Sequence, residues 1–331
     1  MNFQTFPKIE LHLHLDCSLS YQAIHQLDPS VTEEIYQRDF VAPGKCTNLV
    51  DYLTRAPREV ALMQTEDQLR LAVEDVFEQL RRDHHLYAEL RFAPILHTEQ
   101  GLSPYEVVRI VEEAAAQASQ RTGVMARLIL CTLRHYSEEQ SLETARLVEQ
   151  FRGTLVAALD IAGDEAGQPL APHIPAFQYA HAHNLFCTAH AGEASGPHSV
   201  WETLQHLAPS RIGHGARSSE DPELVEYLKA HAIHLEICPT SNVQTDICDT
   251  YADHPIHSLY TQGVLLNVNT DARTVTPITL SEEYSRLAHT FDWGYEQFVQ
   301  TNLNAINAAF LAEPEKQELR QRFEARLAEQ H

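Results

Sequence analysis

The chain has 331 residues, 44% of them hydrophobic, and carries 24 Lys and Arg against 46 Asp and Glu, a formal charge of −22. That length bounds it to one large domain or two ordinary ones, and the apolar content excludes a disordered protein. The acidic balance serves solubility and argues against a nucleic-acid backbone or an anionic membrane surface as main partner, because both would repel it.

The first ten residues lack a basic stretch followed by an apolar one, so no signal peptide is expected. No apolar run approaches the ~18 residues of a membrane span. The six cysteines, at positions 17, 46, 131, 187, 238 and 248, form no Cys-x-x-Cys pair. Free thiols in a reducing, cytoplasmic compartment are expected. No linker, low-complexity stretch or shift of composition divides residues 1–331, which predicts one domain.

What recurs along the chain is a short apolar, β-rich run followed by a helix-like segment. The first strand is predicted at Ile9–Leu15. The stretch from about Ser18 to Asp83 is far longer than one helix needs and predicts extra helices over the mouth of the fold. Within it, Thr65–Arg82 sets Leu69, Ala72, Val73, Val76, Phe77 and Leu80 on one stripe. A strand at Leu86–Phe92, a helix at Pro104–Gln120, a strand at Val124–Leu130 and a helix at Ser141–Phe151 follow. Strands are then predicted at Thr154–Asp160, Leu185–His190 and Arg211–His214, a helix at Pro222–His231, and strands at Ala232–Cys238 and Val264–Asn269. A charged, amphipathic helix at Pro314–Glu329, with Pro314 in its first position, ends the chain. Near-continuous apolar strands suit parallel pairing covered on both sides. Eight of them alternating with helices predict an α/β fold, a (β/α)8 TIM barrel, although a doubly wound sheet shares the alternation.

Barrels carry their chemistry at the C-terminal ends of strands. The first strand ends His12-Leu13-His14-Leu15-Asp16. His12 and His14 share a face, an arrangement suited to zinc and equally to two ordinary polar side chains. The fifth ends Thr188-Ala189-His190-Ala191-Gly192-Glu193. There His190 is a ligand or a hydrogen-bonded core histidine, and Glu193 an acid–base group or a helix N-terminal carboxylate. The sixth, Arg211-Ile212-Gly213-His214-Gly215, has glycines that allow close approach to the histidine or make a tight turn. The eighth ends Asn267-Val268-Asn269-Thr270-Asp271, with Asp271 at the mouth or capping the next helix. Each signal is weak alone, but together they set four His, a Glu and an Asp at the C-terminal ends of four strands. Three His and one Asp suffice for a catalytic zinc with room for a water. Glu193 and His214 remain over, in range to act as acid or base.

Other chemistries fit worse. There is no phosphate-cradling Gly-x-x-x-x-Gly-Lys-Ser/Thr loop, no Gly-x-Gly-x-x-Gly after a strand and no Gly-x-Ser-x-Gly elbow. His97-Thr98-Glu99 and His234-Leu235-Glu236 occur without Pro-Cys-x-x-Cys, which excludes the zinc scaffold of base-flipping deaminases.

Six motifs stand in order: Pro7-Lys8-Ile9-Glu10-Leu11-His12-Leu13-His14-Leu15-Asp16, Leu159-Asp160-Ile161-Ala162-Gly163-Asp164-Glu165, His190-Ala191-Gly192-Glu193, Arg211-Ile212-Gly213-His214-Gly215, Glu236-Ile237-Cys238-Pro239-Thr240-Ser241-Asn242 and Asn269-Thr270-Asp271. With these, from about Pro7 to at least Phe310, the chain resembles the adenosine deaminases, in the adenosine/AMP deaminase branch of the metal-dependent amidohydrolases. The resemblance implies a (β/α)8 barrel and one Zn2+ per chain, held by His12, His14, His190 and Asp271. It implies hydrolytic deamination of adenosine, and of 2′-deoxyadenosine, to the inosine product and ammonia. By the same resemblance, Glu193 protonates N1 of the purine, His214 positions and polarises the hydroxide on the zinc, and Asp271 takes the water's proton. Gly163 offers its backbone N–H to N3, and Asp16 binds a ribose hydroxyl. No Lys stands between Asp160 and Gly167, so a binuclear centre on a carbamylated lysine is not expected.

Two departures stand out. Cys17 follows Asp16 where the family usually has Gly. Asp271 is followed by Ala272 and Arg273, where many members have a second carboxylate that contacts N7; Ala272 cannot make that contact. A sister deaminase of another N6-amino purine, such as adenine or aminodeoxyfutalosine, is therefore the alternative. An AMP deaminase is disfavoured because no basic cluster near the motifs would hold a phosphate. A non-catalytic binding protein on the same fold is disfavoured because the whole ligand set is present with Glu193 and His214. The expected partner is a small neutral purine nucleoside.

Overall fold

The computed structural model describes residues 2–329. Eight strands form one parallel sheet in chain order. They are β1 (Lys8–His14), β2 (His85–Phe92), β3 (Met125–Leu133), β4 (Val156–Ala162), β5 (Phe186–Ala191), β6 (Arg211–His214), β7 (His234–Ile237) and β8 (Leu266–Val268). The ring closes beyond β8, where Leu13 and Asp271 form a parallel bridge. Two backbone bonds make that seam: His14 N–H to Asp271 O at 2.7 Å and Asp271 N–H to His12 O at 3.1 Å. The alternation is therefore that of a (β/α)8 barrel and not of an open sheet.

The helices, in chain order, are α1 (Tyr21–Leu27), α2 (Glu33–Asp39), α3 (Leu49–Leu53), α4 (Ala56–Val60), α5 (Glu66–Arg82), α6 (Pro104–Thr122), α7 (Glu138–Gln150), α8 (Ile174–Ala182), α9 (Pro197–Leu207), α10 (Pro222–Ala230), α11 (Pro239–Gln244), α12 (Ile256–Thr261), α13 (Leu280–Phe291), α14 (Tyr295–Ala308) and α15 (Glu313–Ala328). Helices α5, α6 and α7 start at capping boxes, Thr65 with Gln68, Ser103 with Glu106 and Ser137 with Gln140. Each box satisfies two N–H groups that a helix start leaves unpaired. The apolar stripe predicted for α5 is buried in full. Among the described residues no helix is long and apolar enough to cross a membrane.

The long segment between β1 and β2 resolves into α1–α4 followed by α5. Helix α5 is a ring helix that packs against α6, so the added part is α1–α4. Of these, α3 and α4 reach the C-terminal mouth and supply Leu49, Tyr52, Leu53, Ala56, Pro57 and Val60 to the wall of its cavity.

Some elements differ from expectation for local reasons. Strand β7 begins at His234, not Ala232, because Ala232 takes a left-handed φ of +53° in the turn after α10. Pro314 is the second residue of α15, with Glu313 first, and the helix buries only Leu319, Phe323 and Leu327, a narrow stripe. Helices α8, α9 and α11–α14 go beyond the expected elements. Helix α11 explains why: it buries Thr240, Ser241, Asn242 and Gln244, polar residues that no apolar pattern marks.

The barrel interior holds charge as well as carbon. Arg91 on β2 reaches across the ring to Asp160 on β4 at 2.7 Å and to Glu236 on β7 at 2.6 Å, all three fully buried. Arg211 on β6 pairs with Glu89 and with Glu236. A buried charge is tolerable only when paired, and here each carboxylate meets a guanidinium.

Candidate active site

The mouth of the barrel encloses a cavity of about 480 Å³. Its floor is built from strand ends. Alternation on β1 turns His12 and His14 inward together. His14 Nε2 lies 3.2 Å from His190 Nε2, contributed by β5. Asp271, at the seam, puts Oδ1 3.3 Å from His12 Nε2 and 3.4 Å from His14 Nε2. The buried Nε2 of His12 has no hydrogen-bond partner. A buried polar atom without a partner is costly, and two ring nitrogens facing each other at hydrogen-bond distance share one proton at most. Four donor atoms thus converge with too few protons among them, the arrangement a cation resolves.

Two of the rings are aimed by a second residue. His12 Nδ1 bonds Glu236 Oε2 at 2.9 Å and His190 Nδ1 bonds Asp160 Oδ1 at 3.2 Å. Burial opposes ionisation of these carboxyls, but their partners outweigh it: Arg91 and Arg211 for Glu236, the His190 ring and Arg91 for Asp160. Both stay far below the usual carboxylate range. Burial holds the His14 and His190 rings below their ordinary pKa, in the neutral form a metal requires. Ser241 Oγ donates to Asp271 Oδ2 at 2.7 Å.

Gly213 lies between the rings. A Cβ there would sit 3.0 Å from His12 Cε1 and 3.3 Å from His190 Cγ, so this glycine serves close approach. Gly215, with φ +68°, serves the turn. His214 and Asp271 adopt left-handed φ values of +58° and +71°. Such conformations cost a non-glycine residue roughly 1–3 kcal/mol and gather at functional sites.

Glu193 and His214 face each other, Oε2 to Nε2, at 3.6 Å. Burial pushes the Glu193 carboxyl well up, helped by the charges of Asp271 and Glu165. Asp271 is held well below the usual range: burial opposes this, but the close approach of His12 and the other surrounding imidazoles prevail. Two carboxyls driven in opposite directions separate an acid from a base. Glu193 is held in place by Glu165. That buried carboxylate accepts the N–H groups of Gly192, Glu193, Ala194 and Ser195 at 2.6–3.0 Å, and the Ser199 hydroxyl.

The structure brings every expected site residue to this cavity or its floor. Asp16 lines the wall, accepts the Ala93 N–H at 3.1 Å, and is pushed up to about 6 by burial. Gly163, at φ +101°, turns the end of β4 into the cavity. Cys17 lines the cavity too, and Ala272 is buried with Ala42, Cys46, Leu49, Tyr52 and Val275 in an apolar cluster against which Cys17 packs. Sequence reasoning missed the roles of Glu236, Asp160, Arg91 and Glu165, although a charge inside an apolar strand already signals a buried pair. It also missed Tyr136, whose buried hydroxyl has no partner beside the cavity.

The chain matches the adenosine deaminase family model over residues 7–326. It is 35% identical to an adenosine deaminase of Enterococcus faecalis, over 96% of each chain. Its fold is similar to that of an adenine deaminase from Arthrobacter aurescens, with a TM-score of 0.89 and 25% identity over 98% of this chain and 99% of that one. An Arabidopsis N6-mAMP deaminase superposes with a TM-score of 0.88 at 26% identity, over 98% of this chain and 99% of that one.

Proposed function

Because the chain belongs to the adenosine deaminase family, and so is a hydrolase of carbon–nitrogen bonds, we propose that it converts adenosine and 2′-deoxyadenosine to inosine or 2′-deoxyinosine and ammonia. One observation carries the reading: His12, His14 and His190 cluster, and Asp271 lies 3.3 Å from His12 and 3.4 Å from His14, beside Glu193 and His214. Three imidazoles and a carboxylate suit Zn2+, and the orphaned His12 Nε2 fits that assignment. When bound, zinc would supply a water acidified to a pKa of about 7.

The remaining work falls to the chain. Asp271, ionised and steadied by Ser241, takes the proton of the attacking water. The His214 Nε2 edge fixes the direction of attack on C6 of the purine. As C6 becomes tetrahedral, negative charge moves into the ring, and the protonated Glu193 delivers its proton to N1. Gly163 receives N3 at its backbone N–H, and Asp16 takes a ribose hydroxyl. The proton held by Asp271 passes to the amino group, and collapse of the tetrahedral carbon releases ammonia while the proton of the C6 hydroxyl restores Glu193.

A neutral nucleoside suits the cavity better than a nucleotide. No Lys or Arg is among the described residues that line it, whereas Asp16, Glu99 and Asp164 do. A phosphate there would meet like charge. The test is a panel of adenosine, 2′-deoxyadenosine, adenine, AMP and aminodeoxyfutalosine, read by ultraviolet absorbance and ammonia release. Turnover of none of them would sink the reading.

The apolar setting of Ala272 favours a second reading, a deaminase of another N6-amino purine such as adenine. Asp16→Ala separates the two. It harms an enzyme that grips ribose and spares one that acts on the free base.

A further inference from the structure

His214 is an imidazole with two possible neutral tautomers, and only one of them can donate from Nε2 toward the reacting centre. The choice is made some distance away, at the start of α12. The first N–H groups of a helix have no partner within it. That of Ile256 donates to His254 Nδ1 at 3.1 Å. A backbone N–H cannot accept, so His254 Nδ1 is bare and the proton of this neutral ring is on Nε2.

His254 Nε2 lies 3.1 Å from the Asn242 side-chain oxygen and donates to it. That fixes which way the amide faces. Its Nδ2 is then turned to His214 Nδ1, 2.9 Å away. An amide nitrogen donates, so His214 Nδ1 accepts and the ring proton is left on Nε2. This is the atom that faces Glu193. His254, Asn242 and His214 are each at most 3% exposed, so no solvent offers another arrangement. Turning the amide over would set donor against donor at His254 Nε2, where the Ile256 N–H leaves the ring no other tautomer, and a lost buried bond costs roughly 1–3 kcal/mol. Burial also pushes His254 down to about 3, which keeps it uncharged.

We propose that Asn242 and His254 are positioning residues which carry the polarity of one backbone N–H to His214 and lock it as the Nε2–H tautomer. His214 then serves by donating a hydrogen bond and has no lone pair at Nε2 with which to take the proton of the water. That proton is left to Asp271. The inference rests on the deaminase reading for its catalytic meaning, but the hydrogen-bond chain is a statement about the protein alone.

The deciding measurement is a two-bond 15N–1H correlation spectrum of the zinc-loaded enzyme labelled at its histidine ring nitrogens. Signals are assigned by their loss in His214→Gln and His254→Leu. The expected result is a protonated Nε2 and a bare Nδ1 for both rings. A proton on Nδ1 of either ring overturns the proposal, and the wild-type protein alone suffices for that outcome. Asn242→Asp keeps the shape but only accepts, so it should move the His214 proton to Nδ1. With it kcat should fall on the order of 100- to 1,000-fold, the cost of one preorganised donor, while KM and zinc content hold. Wild-type kcat in Asn242→Asp overturns the proposal, because a merely structural asparagine tolerates its isostere. His254→Leu should lose part of kcat, and His254→Gln, which keeps a donor at the Nε2 position, should recover it; equal losses in the two count against the chain. If no purine is deaminated at all, the function is wrong and the spectrum still decides the tautomer.

Discussion

Adding one methyl group at Gly213 should weaken the proposed metal site. The backbone there is an ordinary strand, so Gly213→Ala meets no conformational penalty and acts by contact alone. The new carbon would lie 3.0 Å from His12 Cε1 and 3.3 Å from His190 Cα and Cγ. Carbon atoms rest at about 3.5–4.0 Å, so His12 must retreat by about 0.5 Å or more. It has little room to do so, because its Nδ1 is tied to Glu236 at 2.9 Å. Either that bond lengthens or Nε2 leaves the point where the donors converge. Half an ångström is about the tolerance of such a constellation, and disturbing the groups that aim metal ligands costs roughly 10–100-fold in affinity. Zinc affinity, measured by competition with a chromogenic chelator, should fall by about that factor, with kcat/KM following it. Overpacking should lower metal-free stability in urea by about 1–3 kcal/mol. A variant that binds zinc as tightly as wild type and turns over normally would refute the reasoning. Lost stability with zinc binding intact would show that the glycine serves packing only.

Glu193→Gln keeps shape and zinc but has no acidic proton, so kcat should fall roughly 100-fold or more; near-normal turnover in steady-state assays would remove Glu193 from the mechanism. Glu165→Gln turns an amide nitrogen toward donors that now share a carboxylate. At about 1.5–3 kcal/mol per charge-assisted bond, urea unfolding should show a loss of about 3 kcal/mol, with a larger relative loss in kcat than in KM as Glu193 drifts. Acid should destabilise the fold through its buried neutral histidines. Burial holds His97 and His234 at about 4, so below pH ~6.5 the unfolded chain binds protons that the folded one refuses. Stability contributed by these two is therefore complete above pH ~6.5 and lost as pH falls to about 4, and a flat stability profile across that window would contradict their burial.

The fold was legible where one signal dominates. Strand β6 spans Arg211–His214 as its apolar run and flanking glycines indicate, and the stripe of α5 is buried residue for residue. Helix α11 was illegible because its buried face is largely polar, with Thr240, Ser241, Asn242 and Gln244 bonded to groups elsewhere in the fold such as Arg286, Asp271, His214, His254 and Thr276. The residues of the candidate site were legible for a related reason. His12, His14, His190 and Asp271 are chemistry-bearing residues at strand ends, and the barrel rule names those ends. Their supports were not, since Glu236 and Asp160 look in a sequence like misplaced charges until Arg91 is seen between them. The twenty histidines have a similar explanation. Beyond the site, His85, His97, His173, His234 and His254 are buried and hydrogen-bonded. Composition counts such rings but cannot tell a hydrogen-bonded core histidine from one on the surface.

The seam of the barrel has a consequence for how activity is gained. The two backbone bonds that close the ring join His12 and His14 to Asp271, the same residues whose side chains converge at the cavity floor. A contact between the two ends of a long chain pays its loop-closure entropy late, after local helices and neighbouring strand pairs have formed. Helical signal should then return early in refolding, while activity returns only with the last step. A chain interrupted before residue 271 lacks both its closing strand pair and a corner of its site, so no partly made molecule is a weak catalyst. Completion of the ring and the onset of chemistry are one event in time.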